Sequence, residues 1–261
     1  MRRASASAQT TVLTAPLRRT AAEEAESALL RGIMDGAITP GTPLRLQDLA
    51  AQLQMSMMPI REALRSLERL GLVEIVAHRG AWVRPLTRAD LFDTYFTRMH
   101  LEGIALLEAA RRFDSDGAAH ARSLLSGKHQ AEARGDVMAA RDLHERFHFS
   151  LYEASGSDWL MRSIHPLWRN SERYRVESMR NVAHFRRNDA EHDLLVDALE
   201  RHDGIAAVEL IVSHLRRTVE LIDASLGATA PAPATTGPAA ETEAEAVPIM
   251  TLPTVDDIAG R

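Results

Sequence analysis

Residues 56–71 constrain this chain more than any other segment. At about 100° per residue, Ile60, Ala63, Leu64, Leu67 and Leu70 gather on one face of a helix, while Arg61, Arg65 and Arg69 fall together on the opposite one. Such a helix must bury its aliphatic stripe and leave a row of guanidinium forks in solvent. Ser56 stands where an N-cap is needed, and Pro59 falls in the first turn, where a missing N–H is tolerated. Residues 72–83 read as a small hairpin, with Trp82 and Val83 anchoring its second strand and Arg79-Gly80 at the tip.

Three arginines on an exposed face are common in solvated amphipathic helices, so the surroundings decide the reading. Thr20-Ala21-Ala22-Glu23 has capping-box form and opens a helix through Met34 that Gly36 stops. Pro40-Gly41 makes a turn, and Leu46, Leu49, Ala50 and Leu53 mark a second short helix ending just before Ser56. Two short helices in close succession followed by a strand pair describe a winged helix-turn-helix. In that setting arginine can bridge guanine O6/N7 or clamp phosphate, and Arg79 can reach toward a backbone or minor groove.

The segment resembles the GntR family of bacterial transcription regulators. The resemblance rests on Ile38-Thr39-Pro40-Gly41, Leu44, Leu49-Ala50, Ser56, Pro59-Ile60-Arg61-Glu62-Ala63-Leu64-Arg65, Leu67, Gly71-Leu72-Val73 and Arg79-Gly80-Ala81, and covers residues 17–86. It implies that Arg61 and Arg65 touch DNA, with Ser56, Arg79 and Gly80 completing the expected interface. Met57 and Gln47 stand where many members carry charged residues, which implies a different base preference.

A net charge of −5 runs against DNA binding only if it is spread evenly. It is not: residues 227–261 hold Glu241, Glu243, Glu245, Asp256 and Asp257 against Arg261 alone, leaving the rest near neutral. That Ala/Pro/Thr-rich acidic tail is expected to be disordered, as are residues 1–16. With 45% apolar residues, the remaining length supports two cored domains, 17–86 and 87–226. The absence of cysteine removes disulfides, thiol nucleophiles and Cys-ligated zinc, and fits a cytoplasmic protein. No apolar run reaches membrane-spanning length, and Met1-Arg2-Arg3 is followed by no continuous apolar stretch, so neither a membrane partner nor a secretory signal is expected.

Residues 87–226 carry helical periodicity and a single proline, Pro166, at which a kink is expected. Helices are predicted over 88–112, 115–134, 136–155, 158–182, 186–202 and 204–226, with Gly117, Gly135, Gly156 and Gly204 near the breaks, giving a mostly α protein with an all-α bundle. His144 and His148 lie one helical turn apart; His192 shares a face with Leu195, Val196 and Leu199, and His214 with Leu210, Ile211, Thr218 and Leu221. One such histidine is ordinarily a hydrogen-bonded core residue, but four inward imidazoles can hold zinc, nickel or a related ion. The run His144-Glu145-Arg146-Phe147-His148 also fits the H-E-x-x-H pattern of a metal-dependent hydrolase with Glu145 as base. That short pattern comes here without an edge strand to hold a peptide.

This half is similar to FCD, the helical effector domain of one GntR subgroup. The similarity rests on Arg98 and Glu102 with Ala109-Ala110, Phe147-His148 with Ala154-Ser155-Gly156, Glu191-His192 with Ala198-Leu199, and His214. It implies that His148, His192 and His214 hold a divalent metal together with an acid four positions before the first, where this chain has His144. Either an all-nitrogen set favours zinc, nickel or copper over manganese, or His144 does not ligate at all. Asp142 falls off the shared face. The resemblance further implies a small carboxylate effector near the metal. Arg98 is the first candidate to receive it, although an i,i+4 salt bridge to Glu102 explains Arg98 equally; Asn170 and Arg173 are weaker candidates. The expected protein is therefore a ligand-responsive, homodimeric DNA-binding regulator, in the sense of a repressor, that reads two half-sites of a double-stranded operator and is not an enzyme.

Overall fold

The computed structural model describes residues 19–181, 190–228, 253 and 255–259. The first helix, α1 (Ala21–Met34), opens on Thr20, whose hydroxyl accepts from Glu23 N at 3.2 Å while Glu23 Oε2 accepts from Thr20 N at 2.7 Å. This reciprocal cap satisfies two of the donors a helix start leaves open. Gly36 then takes a left-handed φ of 71°, which turns the chain away from the helix. After α2 (Leu46–Leu53), Gln54 adopts φ 54° and aims the chain into α3 (Met57–Arg69). Ser56 occupies the N-cap of α3 with extended backbone, but its side chain makes no capping bond.

Ile60, Ala63, Leu64 and Leu67 of α3 are all buried, against Ala25, Leu29 and Ile33 of α1 and Leu49 of α2. At about 1.5–3 kcal/mol for each large aliphatic side chain buried, this stripe is what holds the three helices together. The wing is β1 (Val73–Val76) paired antiparallel with β2 (Gly80–Val83), Val73 facing Val83 and Val76 facing Gly80. Residues 41–44 lie along the other side of β2, through Val83 N to Thr42 O at 2.9 Å and Leu44 N to Ala81 O at 2.7 Å. The second wing strand is thereby satisfied on both edges.

Six long helices follow: α4 (Arg88–Ala109), α5 (Ser115–Ala133), α6 (Val137–Glu153), α7 (Asp158–Asn181), α8 (Ala190–Glu200) and α9 (Gly204–Ala228). The starts of α4, α5 and α6 are capped by Thr87, Asp114 and Asp136, each accepting from a backbone N–H three residues on. α4 is the central post, packed on α9, α7 and α6. Ten of its residues are buried, including the polar Thr94, Arg98 and Glu102. The helix α7 continues through Pro166. Predicted residues 186–189 of the fifth helix lie outside the described residues.

The expectation for the tail needs a correction. The end of α9 runs to Ala228, and a further helix, α10 (Val255–Ala259), packs on α4 and α9. Ile258 fits against Gly103, where a Cβ would come within 2.7 Å of Ile258 Cγ2, and Arg216 donates to Pro253 O at 2.7 Å. Asp256 and Asp257 sit in the first turn of α10, where negative charge suits the helix dipole. The expected disorder of residues 1–16 and 229–252 concerns segments outside the described residues.

Candidate functional sites

The helix α3 presents Arg61, Arg65 and Arg69 to solvent opposite its buried stripe. Ser56 and the large apolar side chains Met57 and Met58 are exposed at its N-terminus, and Arg79 and Gly80 are exposed at the wing tip, where Gly80 has φ 123°. All five expected DNA-facing residues therefore lie on exposed surface of the recognition helix and wing.

The four histidines come together. One ring nitrogen from each of His144, His148, His192 and His214 lies within 4.8 Å of the other three, with the first three buried and His214 partly so. His144 and His148 extend from one turn of α6; His192 comes from α8 and His214 from α9. The Nε2 atoms of His144 and His148 are 3.0 Å apart. A tetrahedral ion with bonds of about 2.0–2.1 Å needs nitrogens ~3.3 Å apart, a separation that lies between the 3.0 Å contact of His144 with His148 and the 4.8 Å span of the set. Imidazole-only donors in a buried setting fit a borderline ion such as zinc or nickel. Asp142 stays out of the cluster, 68% exposed and 3.7 Å from Arg146.

A second set of polar side chains abuts the cluster. His148 Nδ1 lies 3.2 Å from the Tyr152 hydroxyl, which donates to Glu102 Oε2 at 2.6 Å. Glu102 Oε1 accepts from Arg98 Nε at 2.6 Å, and Arg98 NH1 donates to Ser171 Oγ at 2.8 Å. The Arg98 guanidinium lies over the Trp168 ring at 4.7 Å, and that ring is 5.1 Å from His148. Arg98 is charged throughout the accessible pH range, with Glu102 pressed against it inside the core. Burial beside the Glu102 charge pushes the Tyr152 phenol well above its ordinary value, so it remains a donor. Arg98 is salt-bridged to Glu102 and is linked to His148 through Glu102 and Tyr152.

On the far side, Arg175 NH1 lies 3.4 Å from His144 Nδ1 and donates to Glu172 Oε1 at 2.6 Å. Glu172 Oε2 accepts from Arg141 Nε at 3.3 Å, and the Arg141 guanidinium reaches Met34 O, the last carbonyl of α1, at 3.4 and 3.5 Å. A cation at a helix C-terminus is favoured by the dipole. A continuous series of polar contacts therefore joins the histidine cluster to the DNA-binding half.

Asn170 and Arg173 belong elsewhere. Asn170 donates to Asp90 and Thr94, both at 2.8 Å, and Arg173 donates to Asn170 Oδ1 at 3.0 Å and to the carbonyl of Arg84. Together with Tyr174, which bonds Asp90 and Thr87, they clamp the linker into α4 rather than face the histidines. Their helical neighbours approach the cluster instead: Trp168, Ser171 and Arg175 lie at i, i+3 and i+7 and share the inner face of α7. That periodicity is visible in the sequence and could have supplied Arg175, as the i,i+4 spacing from His148 on α6 could have supplied Tyr152.

The hydrolase alternative fails on several grounds. Glu145 turns toward Arg169, 3.7 Å away, with its carboxyl raised by burial. His144, His148 and His192 are buried in the bundle and His214 partly so, and among the described residues the strands β1 and β2 belong to the wing.

Comparison with known proteins agrees with this division. The profile for bacterial regulatory proteins, gntR family, matches residues 21–83, and that for the FCD domain matches residues 93–217. The chain is 32% identical over 211 residues, 76% of this chain and 87% of the relative, to a probable D-xylose utilization operon transcriptional repressor of Paenarthrobacter nicotinovorans. It is 30% identical to the Nta operon transcriptional regulator of Aminobacter aminovorans, covering 70% of this chain and 87% of that one. The solved structure of Escherichia coli McbR/YncC superposes with a TM-score of 0.69 at 22% identity, covering 79% of this chain and 99% of that one.

Proposed function

The chain belongs to the gntR family of DNA-binding transcription regulators and carries an FCD domain, and from that premise we propose that it is a homodimeric repressor whose operator affinity answers to a divalent ion and a small carboxylate held in the helical half. The observation that carries this reading is the buried convergence of four imidazoles beside Arg98, in polar contact with the end of α1. His148, His192 and His214, with His144 adjoining, are the residues to hold zinc or nickel. Such an ion supplies a Lewis-acid site for a carboxylate oxygen. Arg98 supplies fixed positive charge beside it.

On the DNA side, Arg61 and Arg65 read base edges or phosphates, Ser56 and the wing residues Arg79 and Gly80 approach the backbone, and two copies engage two half-sites. Among the described residues no helix is long and apolar enough to cross a membrane, and the reading places the protein with its operator in the cytoplasm. The repressor function named for the Paenarthrobacter relative supports the direction of control. Elemental analysis of chain purified without chelator or nickel resin, and again after zinc reloading, tests the metal half. The reading expects about one ion per chain; no uptake after reloading returns the histidines to core packing.

A further inference from the structure

The hydrogen bonds around His144 and His148 form a series whose two ends are chemically fixed. At one end Arg175 has only donors to offer, so His144 Nδ1, 3.4 Å from its NH1, is an acceptor. At the other end Glu102, paired with Arg98 Nε at 2.6 Å, accepts from the Tyr152 O–H, also at 2.6 Å. Tyr152 then has only lone pairs left for His148, so His148 Nδ1 carries its proton and donates across 3.2 Å. A neutral His148 with its proton on Nδ1 has a bare Nε2, and the 3.0 Å contact to His144 requires the proton to sit on His144 Nε2. The order of donation runs from Arg175 through His144, His148 and Tyr152 to Glu102.

Two adjacent histidines therefore present opposite faces to the cluster. His148 offers a lone pair; His144 offers a proton. For His144 to ligate through Nε2, that proton must move to Nδ1, where it would confront the Arg175 guanidinium as donor against donor. We infer that Arg175 is a positioning residue that withholds His144 from the metal, leaving His148, His192 and His214 as the resident ligands. The inference rests on the metal reading given above and goes beyond it by assigning the fourth histidine a conditional role. A three-imidazole set leaves a coordination position for an exogenous oxygen donor, the kind of group a carboxylate brings. Arg175 is built for this restraint: it is 7% exposed and anchored at 2.6 Å to Glu172, which is in turn anchored to Arg141.

The test is a double-mutant cycle on zinc affinity, measured by competition with a chromophoric chelator on the full chain. In the unmodified background His144→Ala changes zinc affinity by less than about 3-fold, below the 10–100-fold range of groups that orient a ligand, since His144 neither ligates nor, once an ion holds His148 Nε2, keeps its contact there. Arg175→Met releases His144, tightens zinc binding, and makes a further His144→Ala cost at least the 10–100-fold that loss of a ligand-orienting partner brings. A loss of that size for His144→Ala in the unmodified background overturns the inference, as does an Arg175→Met chain that binds zinc no better than its parent. Imidazole 15N NMR on the unmodified, metal-free chain gives a second readout that does not depend on the variants folding or on zinc uptake. It is expected to place the His144 proton on Nε2 and the His148 proton on Nδ1; a His144 proton on Nδ1 refutes the role of Arg175. Absence of zinc uptake by the unmodified chain, with the NMR pattern as expected, instead refutes the metal reading and leaves the hydrogen-bond order standing.

Discussion

Replacing Glu102 by alanine separates a structural salt bridge from a superficial one. Its carboxylate is completely buried and 2.6 Å from Arg98 Nε, and the Arg98 side chain is 4% exposed. Without Glu102 the guanidinium keeps only Ser171 Oγ and the faces of Tyr95 and Trp168, 5.1 and 4.7 Å away. Ring faces offer a desolvated cation about 2 kcal/mol, which does not offset leaving a charge unpaired in a core, a loss of about 3–5 kcal/mol. Tyr152 loses its acceptor in the same step, adding to the cost. The comparison is Glu108→Ala, which removes an exposed partner of Arg111, their side chains 37% and 69% exposed, and costs about 0–1 kcal/mol. Urea unfolding of the full chain, followed by circular dichroism and tryptophan fluorescence, measures both. Arg98→Met combined with Glu102→Leu is expected to recover most of the loss, because two well-packed apolar side chains need no compensation for desolvation. A Glu102→Ala protein within about 1 kcal/mol of its parent, level with Glu108→Ala, refutes the view that this pair anchors the core.

Arg65→Ala and Arg61→Ala, both on the exposed face of α3, are expected to leave thermal stability unchanged and weaken operator binding by about 1–3 kcal/mol for a base-edge contact; unaltered gel-shift affinity for both variants removes α3 from the interface. Ile258→Ala is expected to lower stability by about 1–2 kcal/mol, under the range for a fully buried residue because Ile258 is only partly covered. Gly103→Val should have a matching effect by filling the notch that takes Ile258, and equal melting temperatures for all three proteins would show that α10 adds nothing. His165, stacked on Phe149 at 4.0 Å, has its pKa lowered first by burial and then by Arg169. The unfolded chain therefore takes up this proton before the folded one, so the contribution is fully present above about pH 6.5 and is lost as pH falls toward the folded value. His165→Gln should flatten that part of the pH–stability curve, and a curve of unchanged slope would count against the shift.

Much of this architecture is legible in sequence because it is local. The cap at Thr20 and the stripe of Ile60, Ala63, Leu64 and Leu67 depend on spacings of three or four residues, which fix element type and bounds. The inward aim of His144 and His148 is local in the same way, and their meeting with His192 and His214 follows from apolar faces already readable on each helix. What escaped is non-local. A five-residue helix has too little periodicity to register, and Ile258 acquires meaning only opposite Gly103. Asn170 and Arg173 look like ligand-binding groups until Asp90 and the Arg84 carbonyl are found beside them. Arg175 looks like one more surface arginine until His144 is placed against it.

Occupancy of the histidine cluster is expected to govern the DNA-binding half through Arg175, Glu172 and Arg141. Fluorescence anisotropy of a labelled duplex from the region upstream of the gene, titrated with zinc-loaded and zinc-stripped chain at one fixed salt concentration, tests it directly. Operator affinities are expected to differ by about 5-fold or more, the lower end of ordinary coupling between sites, with a difference that shrinks in Arg141→Gln while zinc affinity is retained. Equal operator affinities for the loaded and stripped protein would contradict it.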